Sequence, residues 1–381
     1  MTEGISASTG AAASARVVAR MLSERFGAPV RVGEPVPVRD PKRPIVLVPI
    51  VEGPASVPSR VVAKWFADKP YLSPRIRLAN EASALALLGA LHPEDRLVPR
   101  LYAVDACEGV VVMEHLEGAV HLGDALHQHD PHEARSALLR MANALGAMHR
   151  RTAPLESQHE KLRSQWARSY RYRHEGYLAL YKHILEVTGV RSYPGGVAEL
   201  RAAIALLDDP APFGALSHGD LCPDNAVFWR GEVRFLDFEG AMFRNALVDL
   251  VAVISGFTGC CSAGAVPGAV EAEIDDAYLK SFSQGRPELG DPVAYGRAKM
   301  AAMVTRTLFP WNDALLTADQ RWGTCSQRQR VVARFRRFAG LSAVHGAMTS
   351  VGITLAAVAD ALCERWGEQP ALPAFPAFRE G

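Results

Sequence analysis

This 381-residue chain has little in it that points to nucleic acid, to a membrane or to an oxidising compartment. Its 42 Lys and Arg against 41 Asp and Glu leave a net charge of +1, so no basic surplus argues for a nucleic-acid partner. The six cysteines form no CxxC pair and no regular framework, and the first residues lack the basic start and apolar run of a signal peptide. Both features point to a reducing cytoplasm. Met1 to Ala15, rich in Ser, Thr, Gly and Ala, read as a flexible tail outside the fold. One stretch, Phe338 to Ala359, carries no Asp, Glu, Lys or Arg and has the length to span a bilayer. It also holds His345, three glycines, two serines and two threonines, so it reads as a helix packed inside a protein, and no membrane association is expected.

What is present is ample core material: 49% of the residues are hydrophobic and 22% charged, over a length that supports two lobes. A helix is expected over Arg16 to Phe26, with Val17, Val18, Met21, Leu22 and Phe26 on one face and Gly27-Ala-Pro29 stopping it. Three strand candidates follow, Val30 to Val38, Ile45 to Val51 and Arg60 to Phe66, separated by Pro- and Gly-bearing turns, so an antiparallel sheet is the natural reading. The third places Lys64 in an apolar run, which is costly unless its ammonium meets a partner. Glu81, at the start of a helical run from Asn80 to Ala90, is the obvious partner; the plainer reading is a first-turn glutamate favoured by the helix dipole. Val110 to Glu114 form an apolar strand, and Glu133 to Arg150 place Leu138, Met141, Ala142, Leu145 and Met148 at helical spacing.

The chemistry-bearing stretch is His218-Gly219-Asp220-Leu221-Cys222-Pro223-Asp224-Asn225, followed by Asp237-Phe238-Glu239. Ala226 to Trp229 and Val233 to Leu236 are short, β-branched and aromatic, with an Arg230-Gly231-Glu232 turn between them, so they read as a hairpin. Asn225 enters one strand and Asp237 leaves the next. An amide oxygen and a carboxylate at the open end of a hairpin suit Mg²⁺, which takes one or two hard protein ligands and fills its octahedron with water and phosphate oxygens. Asp220, in the loop before them, is placed to accept or orient a hydroxyl proton.

This spacing resembles the catalytic loop of protein kinases, in which an Asp and an Asn precede a metal-binding Asp-Phe-Gly. Here the loop begins His-Gly-Asp instead of His-Arg-Asp, and Glu239 stands where the kinases have Gly. In both departures the chain is similar to the aminoglycoside phosphotransferase family, whose members phosphorylate antibiotics, choline, homoserine, sugars and other small molecules. The resemblance implies an α+β, bilobal protein-kinase-like fold. A small N-terminal antiparallel-sheet lobe with a helix (16–113) would bind the nucleotide, and a larger, mainly helical C-terminal lobe (114–381) would hold the catalytic residues and the acceptor. It further implies ATP or GTP with Mg²⁺ as cofactors, Asp220 as the catalytic residue, and Asn225 and Asp237 as metal ligands. Lys64, paired with Glu81, would grip the phosphates. The backbone from Glu114 to Leu116 would meet adenine, with Met113 behind it, and Asp249 would brace the catalytic loop. The expected function is transfer of a γ-phosphate to the hydroxyl of a small molecule; a kinase acting on Ser or Thr of a peptide and a catalytically silent nucleotide-binding protein are the alternatives.

One part of that pattern is missing: the segment that should cover the phosphates, Val38 to Pro44, has no glycine, and the nearest, Gly53, falls in the following turn. Lys42 or Arg43 would then help hold phosphates, or be merely solvated. The cluster Trp166, Tyr170, Tyr172, Tyr177, Leu180 and Tyr181 is either an acceptor wall or core. The adjacent Cys260 and Cys261 read as small pocket-lining or core residues. Between Asp291 and Gly340, nine Lys and Arg face three Asp and no Glu. A polycationic aminoglycoside needs an acidic cleft, so this bias favours a neutral or anionic hydroxyl compound.

Overall fold

The computed structural model describes residues 7–38, 45–67, 72–91, 96–168, 174–309 and 311–379, with side chains from residue 13 onward. The chain forms two compact units. One comprises Met1–Ala119, Ser157–Ser169 and Trp229–Ala241, the other Val120–Glu156, Tyr170–Phe228 and Met242–Gly381.

The first unit opens with helix α1, Ala7–Phe26. It begins nine residues before the expected Arg16, so residues 7–15 belong to a helix and not to a loose tail; their alanine content favours this. Gly27, with φ of 67°, ends it in the left-handed conformation. The strands are β1 (Arg31–Val32), β2 (Val36–Pro37), β3 (Ile45–Glu52), β4 (Arg60–Trp65), β5 (Leu101–Asp105) and β6 (Val110–Glu114). They form an antiparallel sheet in the order β1-β3-β4-β6-β5, with β2 also pairing β3. The single strand expected over Val30 to Val38 is split in two at Gly33-Glu34-Pro35, where proline offers no donor to a ladder. Lys42 and Arg43 lie outside the described residues. Beneath the sheet, Val18, Met21 and Leu22 of α1 pack with Val48, Val61, Ala63, Val110 and Val112 in one apolar core. Helix α2, Pro74–Leu91, starts six residues before the expected Asn80, with proline at its first position. Glu81 therefore sits in the helix interior, and the dipole explanation for it falls.

The second unit is mainly helical, and mixed α+β architecture holds for the chain as a whole. Strand β7 (Val120–His121) and helix α3 (Leu122–His127) lead into α4, Pro131–Thr152, capped by Asp130 accepting from the His132 and Glu133 amides. Its inward face is the expected one, with Leu138, Met141, Ala142, Leu145 and Met148 all buried. Helix α5 (Glu156–Arg163) falls almost wholly in the first unit; α6 (Gly176–Thr188), α7 (Gly196–Asp208), β8 (Gly214–Ser217) and β9 (Ala226–Trp229) follow. Tyr177 and Tyr181 are buried on α6 with Ile184, so these aromatics are core, while Tyr170 and Tyr172 lie outside the described residues. After β10 (Glu232–Phe235) of the first unit come β11 (Met242–Asn245), which pairs β8, and the wholly buried α8 (Leu247–Ile254). Helices α9 (Gly268–Phe282), α10 (Pro292–Leu308), α11 (Gln327–His345) and α12 (Thr349–Trp366) complete the unit, with the short ribbon β12 (Arg321–Trp322) and β13 (Cys325–Ser326) before α11.

The uncharged run from Phe338 to Ala359 is not one helix. It is divided between α11 and α12 by Gly346 and Met348, both at positive φ. No helix among the described residues is long and apolar enough to cross a membrane.

Helix α4 packs on α9 at Gly146, where a Cβ would stand 2.6 Å from the Tyr278 carbonyl oxygen and 3.0 Å from the Phe282 amide nitrogen. Backbone cannot give way as a flexible side chain does. Gly146→Ala should therefore destabilise the chain by about 1–3 kcal/mol through overpacking, read as a lower denaturant midpoint with unchanged slope. A neutral or stabilising result would show that the two helices are free to separate.

Candidate active site

In the first unit the buried lysine has found its partners. β4 carries Lys64 opposite Ile45 on one side and Val111 on the other, leaving its side chain only 6% exposed. Its Nζ lies 2.8 Å from Glu81 Oε2, hydrogen-bonds Asp237 Oδ1, and stands 3.7 Å from Glu239 Oε2. The structure thus joins three residues that the sequence singled out, from β4, α2 and the segment after β10. Burial works against the Lys64 ammonium, but the three carboxylates outweigh it and hold the group above its ordinary range. Glu81 is pushed up by burial, which Lys64 opposes and the Asp237 and Glu239 charges reinforce.

Glu239, the departure from the kinase pattern, is not a loose substitution. Arg77 Nη2 donates to its Oε2 at 2.6 Å, and Asn80 Nδ2 to its carbonyl at 3.0 Å. Asn80 is held in turn by Arg163 Nε at 2.9 Å. Sequence reasoning missed Arg77, Asn80 and Arg163; polar residues spaced along one face of a helix otherwise read as core were the available signal. Ahead of Asp237 the turn is tight, with Arg230 and Gly231 both at positive φ as in a type I′ hairpin turn. Asp237 itself has φ of 66°, a conformation uncommon outside glycine and concentrated at functional positions.

Glu114 closes β6. Its N–H donates to the Arg100 carbonyl at 2.8 Å and its carboxylate accepts from the Arg100 amide at 3.0 Å. The Leu116 carbonyl accepts from Ala119 N at 3.1 Å, and Met113 is buried beside them.

The catalytic-loop motif lies in the second unit, and Asp249 is its anchor. Fully buried in the first turn of α8, this carboxylate accepts from Ser217 Oγ at 3.0 Å, His218 N at 2.6 Å and Gly219 N at 3.0 Å, with His149 Nε2 at 3.2 Å. Gly219 has φ of 86°, which is why the loop has glycine there. Burial alone would raise the Asp249 carboxyl; the His149 bond and charge, with Arg244 and His218, reverse that and hold it well below the usual range. The backbone so fixed presents Asp220 exposed to solvent. Asn225 Nδ2 donates to the Asp220 carbonyl at 2.8 Å, which turns the amide oxygen away from that bond.

Within the loop Cys222 is disulfide-bonded to Cys260, with a Cα–Cα separation of 6.0 Å. Cys260 is buried, in keeping with its reading as a small pocket-lining or core residue, but the bond gives it a partner that reading did not include and removes the cysteine premise for a reducing compartment. A pocket of about 450 Å³ lies in the same unit, lined by Gly219 and Asp220 and by Thr305, Arg306, Phe309, Leu315, Trp322 and Arg334 among others. No described residue of the aromatic segment Leu155 to Val190 lines it.

The anchor has a measurable signature. Asp249→Asn leaves His149 and three donors facing a neutral amide, and should cost about 3–5 kcal/mol at pH 7 as a broken buried pair. The carboxyl is depressed in the fold, so its contribution is full above about pH 4, the unfolded value, and is lost as the pH falls below that. The variant's stability should therefore fall less steeply in acid than the native chain's. Parallel acid limbs in denaturant titrations at several pH values would place that titration on another carboxylate.

Residues 59–290 match the sequence model of the family described as "Phosphotransferase enzyme family" (APH). No curated protein sequence matches the chain. Solved structures similar to it include choline kinase LicA from Streptococcus pneumoniae, at 15% identity over 86% of this chain and 98% of that one, with a TM-score of 0.44. An aminoglycoside phosphotransferase from Alicyclobacillus acidocaldarius matches at 14% identity, over 87% and 93%, with a TM-score of 0.43. A macrolide 2'-phosphotransferase from Brachybacterium faecium does so at 14%, over 78% and 94%, with 0.39. At these identities and scores the structural likenesses carry no argument about the acceptor. The family match spans more than half of the chain and contains Lys64, Glu81, Asp220, Asn225, Asp237 and Asp249, and the chain accordingly belongs to the APH phosphotransferase family.

Proposed function

We propose that the protein is a kinase that transfers the γ-phosphate of ATP or GTP to a hydroxyl of a small molecule. The observation that carries this reading is Lys64, buried in the sheet yet held by Glu81 and Asp237. A fold seeking stability alone has little use for one ammonium among three carboxylates, whereas a nucleotide site uses the lysine for phosphates and the aspartate for a cation. The residue types suit Mg²⁺: Asp237 would supply a carboxylate oxygen and Asn225 would supply an amide oxygen, hard ligands of the kind the ion takes sparingly from protein. When bound, the metal would neutralise charge on the phosphates.

This chain's own residues supply the rest. Lys64, oriented by Glu81, would hold the α- and β-phosphates. Adenine would be met by backbone of the Glu114 to Leu116 segment; since the Glu114 N–H is committed to Arg100, other groups of that segment must serve. Asp220 would accept the hydroxyl proton as the acceptor oxygen bonds to the γ-phosphorus and the bond to the bridging β–γ oxygen breaks, releasing the nucleoside diphosphate. A small-molecule acceptor is favoured over a peptide because the Asp220 pocket has the volume of a small-ligand site.

Nucleotide consumption measured across a panel of hydroxyl compounds tests the reading. Asp237→Asn should abolish Mg²⁺-dependent turnover in a folded protein, and unchanged turnover would sink the assignment. Asp220→Ala should lower kcat by about 10²- to 10⁴-fold with little change in nucleotide affinity. Loss of nucleotide binding in that variant would instead give Asp220 another role. Kanamycin should be a poor acceptor, and a kcat/KM above about 10⁴ M⁻¹s⁻¹ for it would contradict the charge argument.

A further inference from the structure

Three arginines, Arg306, Arg330 and Arg334, gather in the second unit. Among the described residues, no carboxylate forms an ion pair with Arg306, Arg330 or Arg334, although Arg330 and Arg334 are 0% and 3% exposed. Arg330 is a structural clamp: its terminal nitrogens donate to the carbonyls of Thr258, Cys260, Cys261 and Trp322. Arg334 is different. Among the described residues only its Nη2 is engaged, on the Thr258 carbonyl, while its buried Nε and Nη1 have no partner. Arg306 makes only long bonds, 3.4 Å to the Val248 carbonyl and 3.3 Å to the Gly219 carbonyl. Arg306 and Arg334 both line the pocket that contains Asp220, and among the described residues Asp220 is its only acidic lining residue.

A buried guanidinium without a counter-charge is costly, and here the cost is compounded by like charges. Burial, then the neighbouring Arg330 and Arg306, push Arg334 down to about 9. The protein keeps this arrangement beside a residue that faces the acceptor, where a ligand can supply the missing charge. Phe309, Leu315 and Trp322 give the same pocket apolar walls.

We propose that the pocket beside Asp220 takes an acceptor bearing, besides its reactive hydroxyl, an oxyanion of carboxylate or phosphate type that is held against Arg306 and Arg334. This rests on the kinase reading for the hydroxyl, but the anion site stands on the pocket alone. Arg306 ties the two ends together, because it bonds the Gly219 carbonyl directly before Asp220. An anion drawn to Arg306 is thereby placed next to the loop that would orient the hydroxyl. Guanidinium suits the task, since its planar fork matches the two oxygens of a carboxylate.

Two measurements on the full chain decide it. In the first, hydroxycarboxylic acids are compared with their own methyl esters as acceptors. The acids should have a kcat/KM at least about tenfold higher. Arg334→Gln and Arg306→Gln should each lower the acid-to-ester ratio of kcat/KM about 10-fold or more, as expected for a lost bond to a charged group, whatever their effect on turnover of the esters themselves. Esters that match or exceed their acids overturn the proposal. In the second, thermal unfolding is followed in inorganic phosphate and in chloride of equal ionic strength, with no turnover required. Phosphate should raise the native midpoint by about 2 °C or more, and most of that rise should vanish in Arg334→Gln or, if that variant does not fold, in Arg306→Gln. No rise, or an undiminished one, overturns the anion site even if the chain is an active kinase. A full phosphate effect in a chain that consumes no nucleotide with any acceptor would sink the kinase reading and leave the anion site standing.

Discussion

A lysine placed in the middle of a sheet has to be neutralised within a few ångströms, and much of the first unit is arranged around that need. β4 fixes Lys64 between β3 and β6, so Glu81 must come from a helix laid against the sheet and Asp237 from chain that returns 173 residues later. Glu239 brings a third carboxylate, and Arg77 restores part of the balance from α2. Among the described residues, three carboxylates thus face Lys64 and Arg77. A nucleotide with its cation would redistribute these contacts, which is the behaviour wanted of a site that must exchange one set of ionic partners for another.

The second unit solves a parallel problem with the opposite sign. Asp249 is an anion with no solvent access, and it survives because it collects a hydroxyl, two backbone amides and an imidazole. Those amides belong to His218 and Gly219, so stabilising the buried charge and shaping the loop before Asp220 are one act. His149 is fixed from its other nitrogen by the Tyr278 hydroxyl at 2.7 Å, which carries the bracing into the α4–α9 contact where Gly146 lets the helices meet.

The sheet, the helix faces and the motif residues were readable because each left a local pattern: alternation, helical spacing, or Asp and Asn at set distances from apolar runs. The α2 start was misjudged because Pro74 to Ala79 mixes arginine with apolar residues, and Arg77 is buried through the Ala67 carbonyl and through Glu239, 162 residues away. The break between α11 and α12 was hidden because an uncharged run conceals a cap; the positive φ at Gly346 and Met348 marks it only in three dimensions. The pairing of Cys222 with Cys260 left no trace for the same reason, since the bond depends on where the segment after α8 returns. The aromatic segment after α4 was open to two readings, acceptor wall or core, and Tyr177 and Tyr181 are core.

The basic bias between Asp291 and Gly340 was visible as composition, but composition did not say which cations were buried. Lys299 pairs with Asp275 at 2.5 Å, Arg336 with Glu368 at 3.0 Å and Arg337 with Glu271. Arg297 and Arg321 are exposed, and Arg328 donates to the Leu315 carbonyl. Once all six are set aside, what remains is Arg306, Arg330 and Arg334 around the segment from Thr258 to Cys261. That segment also carries Cys260, whose bond to Cys222 ties it to the catalytic loop. The carbonyls of Thr258, Cys260 and Cys261 thus orient two of the arginines, while the disulfide fixes the same stretch relative to Asp220. The arginine-lined wall and the Asp220 carboxylate are held by one covalently linked frame, so the charge of the pocket and the position of Asp220 are not independent features of this fold.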